Sequence, residues 1–206
     1  MGGRNRPSLP APPVCPGSHR CARVTRGTGA VLSHPGVRRR RADGAKIAPT
    51  MGATSAGLLL YRRTAEGDLE VLLAHPGGPF WARKDDGAWS VPKGEYGPGD
   101  DPWATAQREF EEELGLPVPA GRPHVLGEVR QAGGKRVTVW ALRADLDVST
   151  ARSHTFELEW PRGSGQVKEF PEVDRVAWMR LPEARVKLLK GQVPLLDLLV
   201  ASVPEQ

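Results

Sequence analysis

The sequence predicts one α/β or α+β domain over residues 51–206, preceded by a basic extension. Three observations carry this reading: charge splits by position, strand and helix signals alternate from residue 54 onward, and one central helix has both ends marked. The 206 residues, 26% charged and 39% hydrophobic, suffice for one sizeable core or two small ones. The most apolar stretch, around Gly57 to Leu60, stops at Arg62 and Arg63. That falls far short of the ~20 apolar residues a membrane-spanning helix requires, so no membrane partner is expected.

The net charge of +5 belongs to the extension. Residues 1–50 hold ten Lys+Arg and one Asp+Glu, whereas residues 51–206 hold 19 and 23. The same fifty residues contain seven of the 20 prolines, seven of the 24 glycines and none of the aromatics. With so little apolar area to bury against chain entropy, they are expected to be disordered, densest in charge at Arg38–Arg41. Three origins fit this composition: upstream sequence translated ahead of a start at Met51, an Arg-rich transit peptide, or an arm with salt-sensitive affinity for polyanions. With no aromatics interleaved to stack on bases, nucleic acid is not the favoured partner. Cys15 and Cys21, with His19 between them, lack the four paired ligands of a structural zinc site and read as incidental. Residues 51–206 contain no cysteine, which suits a cytoplasmic protein independent of disulfides.

In chain order, Thr54 to Arg62 and Leu69 to Ala74 are apolar runs joined by the polar Thr64–Asp68, the pattern of two strands and a hairpin connection. A Gly/Pro-rich loop carries Phe80, Trp81, Arg83 and Lys84, and is followed by the short run Trp89–Pro92. Further strands are expected at His124–Arg130, Arg136–Ala144, His154–Trp160 and Val173–Met179, and closing helices at Pro182–Leu189 and Val193–Val200. The central helix opens at Asp101 as N-cap with Pro102 behind it, and ends at Gly115. Phe110 and Leu114 recur at helical spacing and should face the core.

Glu109, Glu112 and Glu113 stand at i, i+3 and i+4, which places three carboxylates on one side of that helix within a turn. Arg108 is the only cation between Pro102 and Leu116, so their repulsion is largely uncompensated. Two resolutions are open: a solvated acidic face, or a hard divalent cation such as Mg2+ or Mn2+ that turns the repulsion into binding.

The loop before the helix adds a second constraint. From Gly94 the chain reads Gly94, five residues, Asp100, seven residues, then Arg108-Glu109-Phe110-Glu111-Glu112-Glu113-Leu114-Gly115-Leu116. This resembles the Nudix box: Gly, five residues, Glu, seven residues, Arg-Glu, an apolar residue, any residue, Glu-Glu, any residue, Gly and an apolar residue. Every fixed position matches except Asp100, whose side chain is shorter than glutamate by roughly 1.5 Å.

The resemblance extends over residues 53–200 and implies a Nudix α/β/α sandwich with a mixed sheet. The activity it implies is metal-dependent hydrolysis of a diphosphate linkage in a nucleoside diphosphate derivative. It makes Glu109 and Glu113 metal ligands, Glu112 a ligand or the general base, Arg108 the residue that orients a catalytic glutamate, and Gly94 a backbone carbonyl donor to the metal. The family often adds an acidic ligand from outside the box. Glu157 and Glu159, which share a strand face, are candidates for it, or are two exposed strand residues. Lys93, Arg83 and Lys84 are candidate phosphate contacts, and Trp81 and Phe80 candidate stacking partners for a base. The approach Trp89–Gly94 is similar to that of dinucleoside-polyphosphate hydrolases and related house-cleaning enzymes. A non-catalytic Nudix-like module that binds a nucleotide or a protein is the competing reading, and action on RNA ends is a third. The sequence leaves the oligomeric state open.

Overall fold

The first strand is apolar without interruption because both of its faces are covered. In the computed structural model, which describes residues 53–204, β1 (Thr54–Arg63) is buried continuously from Ser55 to Tyr61. Its side chains alternate between two cores. Leu58 and Leu60 meet Leu72, Leu142, Phe110 and Leu114, whereas Leu59 and Tyr61 meet Leu73, Val137, Leu195 and Leu199. The first core is closed by helix α1 (Pro102–Leu114), the second by α2 (Leu181–Lys187) and α3 (Pro194–Ser202). Two helical layers thus enclose one sheet, the α/β/α sandwich that was expected. The reading of residues 1–50, with Cys15, Cys21 and Arg38–Arg41, lies outside the described residues.

The central sheet is mixed. β1 pairs in parallel with β5 (Arg136–Arg143) and antiparallel with both β2 (Leu69–Pro76) and β3 (Lys93–Tyr96). β4 (His124–Arg130) forms one edge beside β5, and β8 (Val173–Arg180) the other beside β2. β2 and β3 share one side of β1: β3 takes Thr54–Gly57 and β2 takes Tyr61–Arg63. The chain between them, residues 77–92, therefore emerges where the sheet splits.

Two expectations shift. The short run Trp89–Pro92 leads into a strand at Lys93–Tyr96, because the free ladder of Thr54–Gly57 pairs with those residues. Trp89 and Ser90 make single bridges to Leu188 and Ala74. The run His154–Trp160 is β6 (Thr155–Glu159), and its partner β7 (Val167–Pro171) was not anticipated. Together they form a two-stranded hairpin apart from the main sheet.

Helix α1 has the ends its sequence marks. Asp101 Oδ1 accepts from the Trp103 N–H at 2.9 Å, and Gly115 closes the helix at φ 64° with its N–H on the Glu111 carbonyl. Phe110 and Leu114 are fully buried, which contributes about 2–3 kcal/mol each. That anchorage leaves the opposite edge of the helix to carry charge.

Candidate active site

Burying Phe110 and Leu114 against β1 fixes the rotation of α1 and turns Glu109 and Glu113 toward β3. The Glu109 carboxylate lies directly against the backbone of Gly94: a Cβ built there would stand 1.8 to 2.2 Å from its carboxyl atoms. Gly94 is thus a steric requirement of the site. Gly57, on the neighbouring strand β1, is constrained in a similar way, since a Cβ there would come within 2.8 Å of the Pro92 carbonyl.

Arg108 forks between two of the acids, reaching Glu109 Oε1 at 2.6 Å and Glu112 Oε2 at 2.7 Å. Glu109 keeps 17% of its side-chain surface and Glu112 38%, so one carboxylate is held inward while the other faces solvent. Glu113 is the most enclosed. Its Oε2 accepts the Lys93 N–H at 3.2 Å, and burial pushes its pKa up to about 7 against the opposing charge and N–H of Lys93. The negative charges of Glu109 and Glu172 push in the same direction as burial. Glu111 is on another face and accepts from Val118 N–H at 3.4 Å.

Asp100, the one departure from the box, holds the turn before the helix: its Oδ2 accepts from the Gly97 N–H at 2.7 Å. The shorter side chain makes its contact within the loop. At the other end of α1, Gly115 admits the segment after β5, since a Cβ there would stand 2.2 Å from the Arg152 carbonyl. Arg152 N–H then bonds the Leu114 carbonyl at 2.8 Å and His154 N–H the Glu112 carbonyl at 3.4 Å. Glu113 borders a cleft of about 270 Å³ whose walls include Val148, Ser153, Val173 and Asp174.

Three groups near this centre escaped the sequence reading. Glu172 precedes β8 and is fixed by its backbone, its N–H on His154 O and its carbonyl on Gly77 N–H, both at 2.8 Å. Lys135, in the β4–β5 connection, pairs with Glu95 at 2.8 Å. Its charge adds to the burial that depresses the Lys93 ammonium, while Glu113 opposes that depression. His75 is fully buried, with Nδ1 2.6 Å from Asp174 Oδ1 and Nε2 2.7 Å from the Lys84 carbonyl.

Among the described residues, no hydrogen bond or ion pair joins the remaining candidates to the carboxylates of α1. Glu157 and Glu159 are exposed on β6: Glu157 sits opposite Glu169, and Glu159 Oε1 accepts from the Gly165 N–H at 2.6 Å. Trp81, Arg83 and Lys84 belong to the loop after β2, where Lys84 Nζ lies 4.7 Å over the Trp81 ring. This loop is anchored by Asp85, which binds Trp89 Nε1 and Arg175 at 3.0 Å each and also Lys187.

Whether a hard divalent cation suits this donor set can be judged from its chemistry. Among the described residues, no three acidic, histidine or cysteine side chains already converge as a metal cage. What is present is an all-oxygen set, partly buried, and one member of it is held toward its protonated form by burial and like charge. A cation relieves that repulsion, and carboxylate oxygens are the ligands Mg2+ and Mn2+ prefer. The residues fit the group.

The fold has counterparts among known proteins. The Nudix domain of NrtR from Shewanella oneidensis, solved with ADP ribose, superimposes with a TM-score of 0.52 at 15% identity, covering 77% of this chain and 93% of that one. A MutT/Nudix family protein from Listeria innocua gives 0.50 at 16% identity over 74% and 94%. An Ap4A hydrolase from C. elegans is 25% identical over 72% of this chain and 96% of that chain, with a TM-score of 0.49. No curated protein matches the chain in sequence. The model of the NUDIX domain, however, matches residues 51–199, and the chain belongs to the Nudix family, whose domain acts on nucleotide pyrophosphate linkages.

Proposed function

We propose that residues 51–206 form a cytoplasmic, divalent-metal-dependent pyrophosphohydrolase. Its substrate would be a nucleoside diphosphate derivative, such as a nucleoside triphosphate or a dinucleoside polyphosphate. The observation that carries this reading is the enclosed carboxylate of Glu113, bonded by the Lys93 N–H and feeling the charges of Glu109, Glu172 and Lys93, with Arg108 tying Glu109 to Glu112 beside it. A pyrophosphate resists water largely because its oxygens repel nucleophiles, so this chemistry needs both signs of charge at one place.

A divalent ion held there, Mg2+ or Mn2+, would neutralise phosphate charge and make a water more acidic. Glu109 and Glu113 are assigned to hold it, together with the Gly94 carbonyl and Glu172. Glu112 serves as a ligand or accepts the proton of the attacking water, and Arg108 holds Glu109 and Glu112 in place. Lys93 and Lys135 bind phosphate oxygens. Glu172, whose charge is felt at Glu113 and whose backbone ties the loop after β2 to the hairpin, is assigned as the acid from outside the box in preference to Glu157 and Glu159.

The test is a panel of nucleoside triphosphates, diadenosine polyphosphates, ADP-ribose and dinucleotides incubated with Mg2+ and read by product chromatography. Turnover of at least one, abolished by chelation and restored by Mg2+, is expected. Nucleotide binding without turnover in any divalent metal would instead mark a binding module.

A further inference from the structure

We propose that Phe80 and Trp160 form the subsite for the nucleobase of the substrate, on the two segments tied to Glu172. The inference rests on the hydrolase reading for its ligand class and on the geometry of two segments for its place. Both segments leave the body of the protein at Glu172. The loop after β2 is tied there by the Gly77 N–H on the Glu172 carbonyl, and the β6–β7 hairpin by the Glu172 N–H on the His154 carbonyl, each at 2.8 Å. They then run side by side. A Cβ on Gly78 would stand 3.0 Å from Phe156 Cζ, and farther along Phe80 meets Trp160 edge to face, with centroids 5.3 Å apart at 80°.

Packing alone does not account for this contact. Phe80 remains 58% exposed, so an edge contact with Trp160 leaves aromatic surface in water that a flat ring could cover. The loop presenting it is rigidly held, by the His75 bridge to Asp174 and the Lys84 carbonyl and by Asp85 on Trp89 and Arg175. Ordering a ligand against a fixed ring loses less entropy than ordering the ring as well.

The surrounding charge selects the occupant. Between Gly77 and Lys84 the charged residues are Arg83 and Lys84, both exposed; on the hairpin Arg162 follows Trp160, while Glu159 before it is turned to the Gly165 N–H and Glu169 accepts from the Thr155 hydroxyl. Aromatic faces rimmed by cations fit a base carried on an anionic chain.

Calorimetric titration of ATP and of inorganic triphosphate into the full chain, with Ca2+ present, separates base from phosphate recognition. Phe80→Leu and Trp160→Leu should each weaken ATP about tenfold and leave inorganic triphosphate unchanged, and Trp160→Phe should restore ATP binding. Equal ATP affinity in wild type and Phe80→Leu overturns the proposal, and so does a parallel loss of both ligands. Phe80 lies on an exposed loop, so that variant decides the matter even where Trp160→Leu fails to fold. Base-selective loss without turnover of any nucleotide would leave the subsite standing and remove the hydrolase reading; turnover without base-selective loss would do the reverse.

Discussion

Helix α1 and the wall formed by the β2–β3 loop with the β6–β7 hairpin flank the same centre, yet they are specified in different ways. The helix is set by neighbours in sequence: Asp101 caps it, Gly115 ends it, and Phe110 and Leu114 fix its rotation. The wall is set by residues far apart in the chain, through His75 with Asp174, Asp85 with Arg175 and Lys187, and Gly77 with Glu172. The difference teaches that the box can be read from local spacing, whereas the wall proposed to hold the base is set by tertiary contacts.

The sharpest way to break the comparison is to remove charge from the helix. Glu112→Gln and Glu113→Gln should each lower turnover by several orders of magnitude, about 3–7 kcal/mol of transition-state stabilisation, with the fold intact. Steady-state assays beside thermal melts read both. Near-wild-type rates in the two variants would reduce the helix to a solvated acidic face. Gly94→Ala comes next, because its methyl group enters the Glu109 carboxylate. A displacement of about 1 Å at such a site costs on the order of 10²-fold in rate, while the circular dichroism spectrum should stay unchanged.

The wall answers differently. His75→Ala leaves the Asp174 carboxylate and the Lys84 carbonyl without their buried partner, and should lower stability by about 2–4 kcal/mol in urea titrations. Its effect on kcat should be smaller than that of either glutamine variant.

A pH series sharpens the helix side further. The Glu113 pKa is raised in the folded chain from 4.5 to about 7, so the folded state binds this proton more tightly than the unfolded state does. Without metal, stability attributable to this group is highest below pH 4.5 and falls as pH rises through 7, by at most about 3 kcal/mol. Glu113→Gln should abolish that slope and melt higher than wild type at pH 8 in EDTA. The smallest effect is expected from removing residues 1–50, which hold no aromatic side chain: melting temperature and turnover of the chain from Met51 should match the full chain.

The same division explains what could be read in advance. The box, the caps and the core face of α1 were legible because each is a relation within about 20 residues, and β1 because a strand covered on both faces is continuously apolar. β7 was hidden because Val167, Lys168 and Glu169 are all exposed, so no alternation marks it. Glu172 and Lys135 carry no local signal: strand register and a turn between strands bring them to the centre. Glu157 and Glu159 do share a face as alternation requires, but their hairpin stands outside the main sheet, and Glu159 bonds the turn at Gly165.

The central claim is that the acids of α1, with Glu172, are a divalent-metal site. Mn2+ binding followed by electron paramagnetic resonance of the free ion tests it without reference to any substrate. Affinity should fall at least tenfold in Glu113→Gln and in Glu172→Gln, and stay unchanged in Glu157→Gln. Wild-type Mn2+ affinity in Glu113→Gln, or equal losses in all three variants, would contradict the assignment.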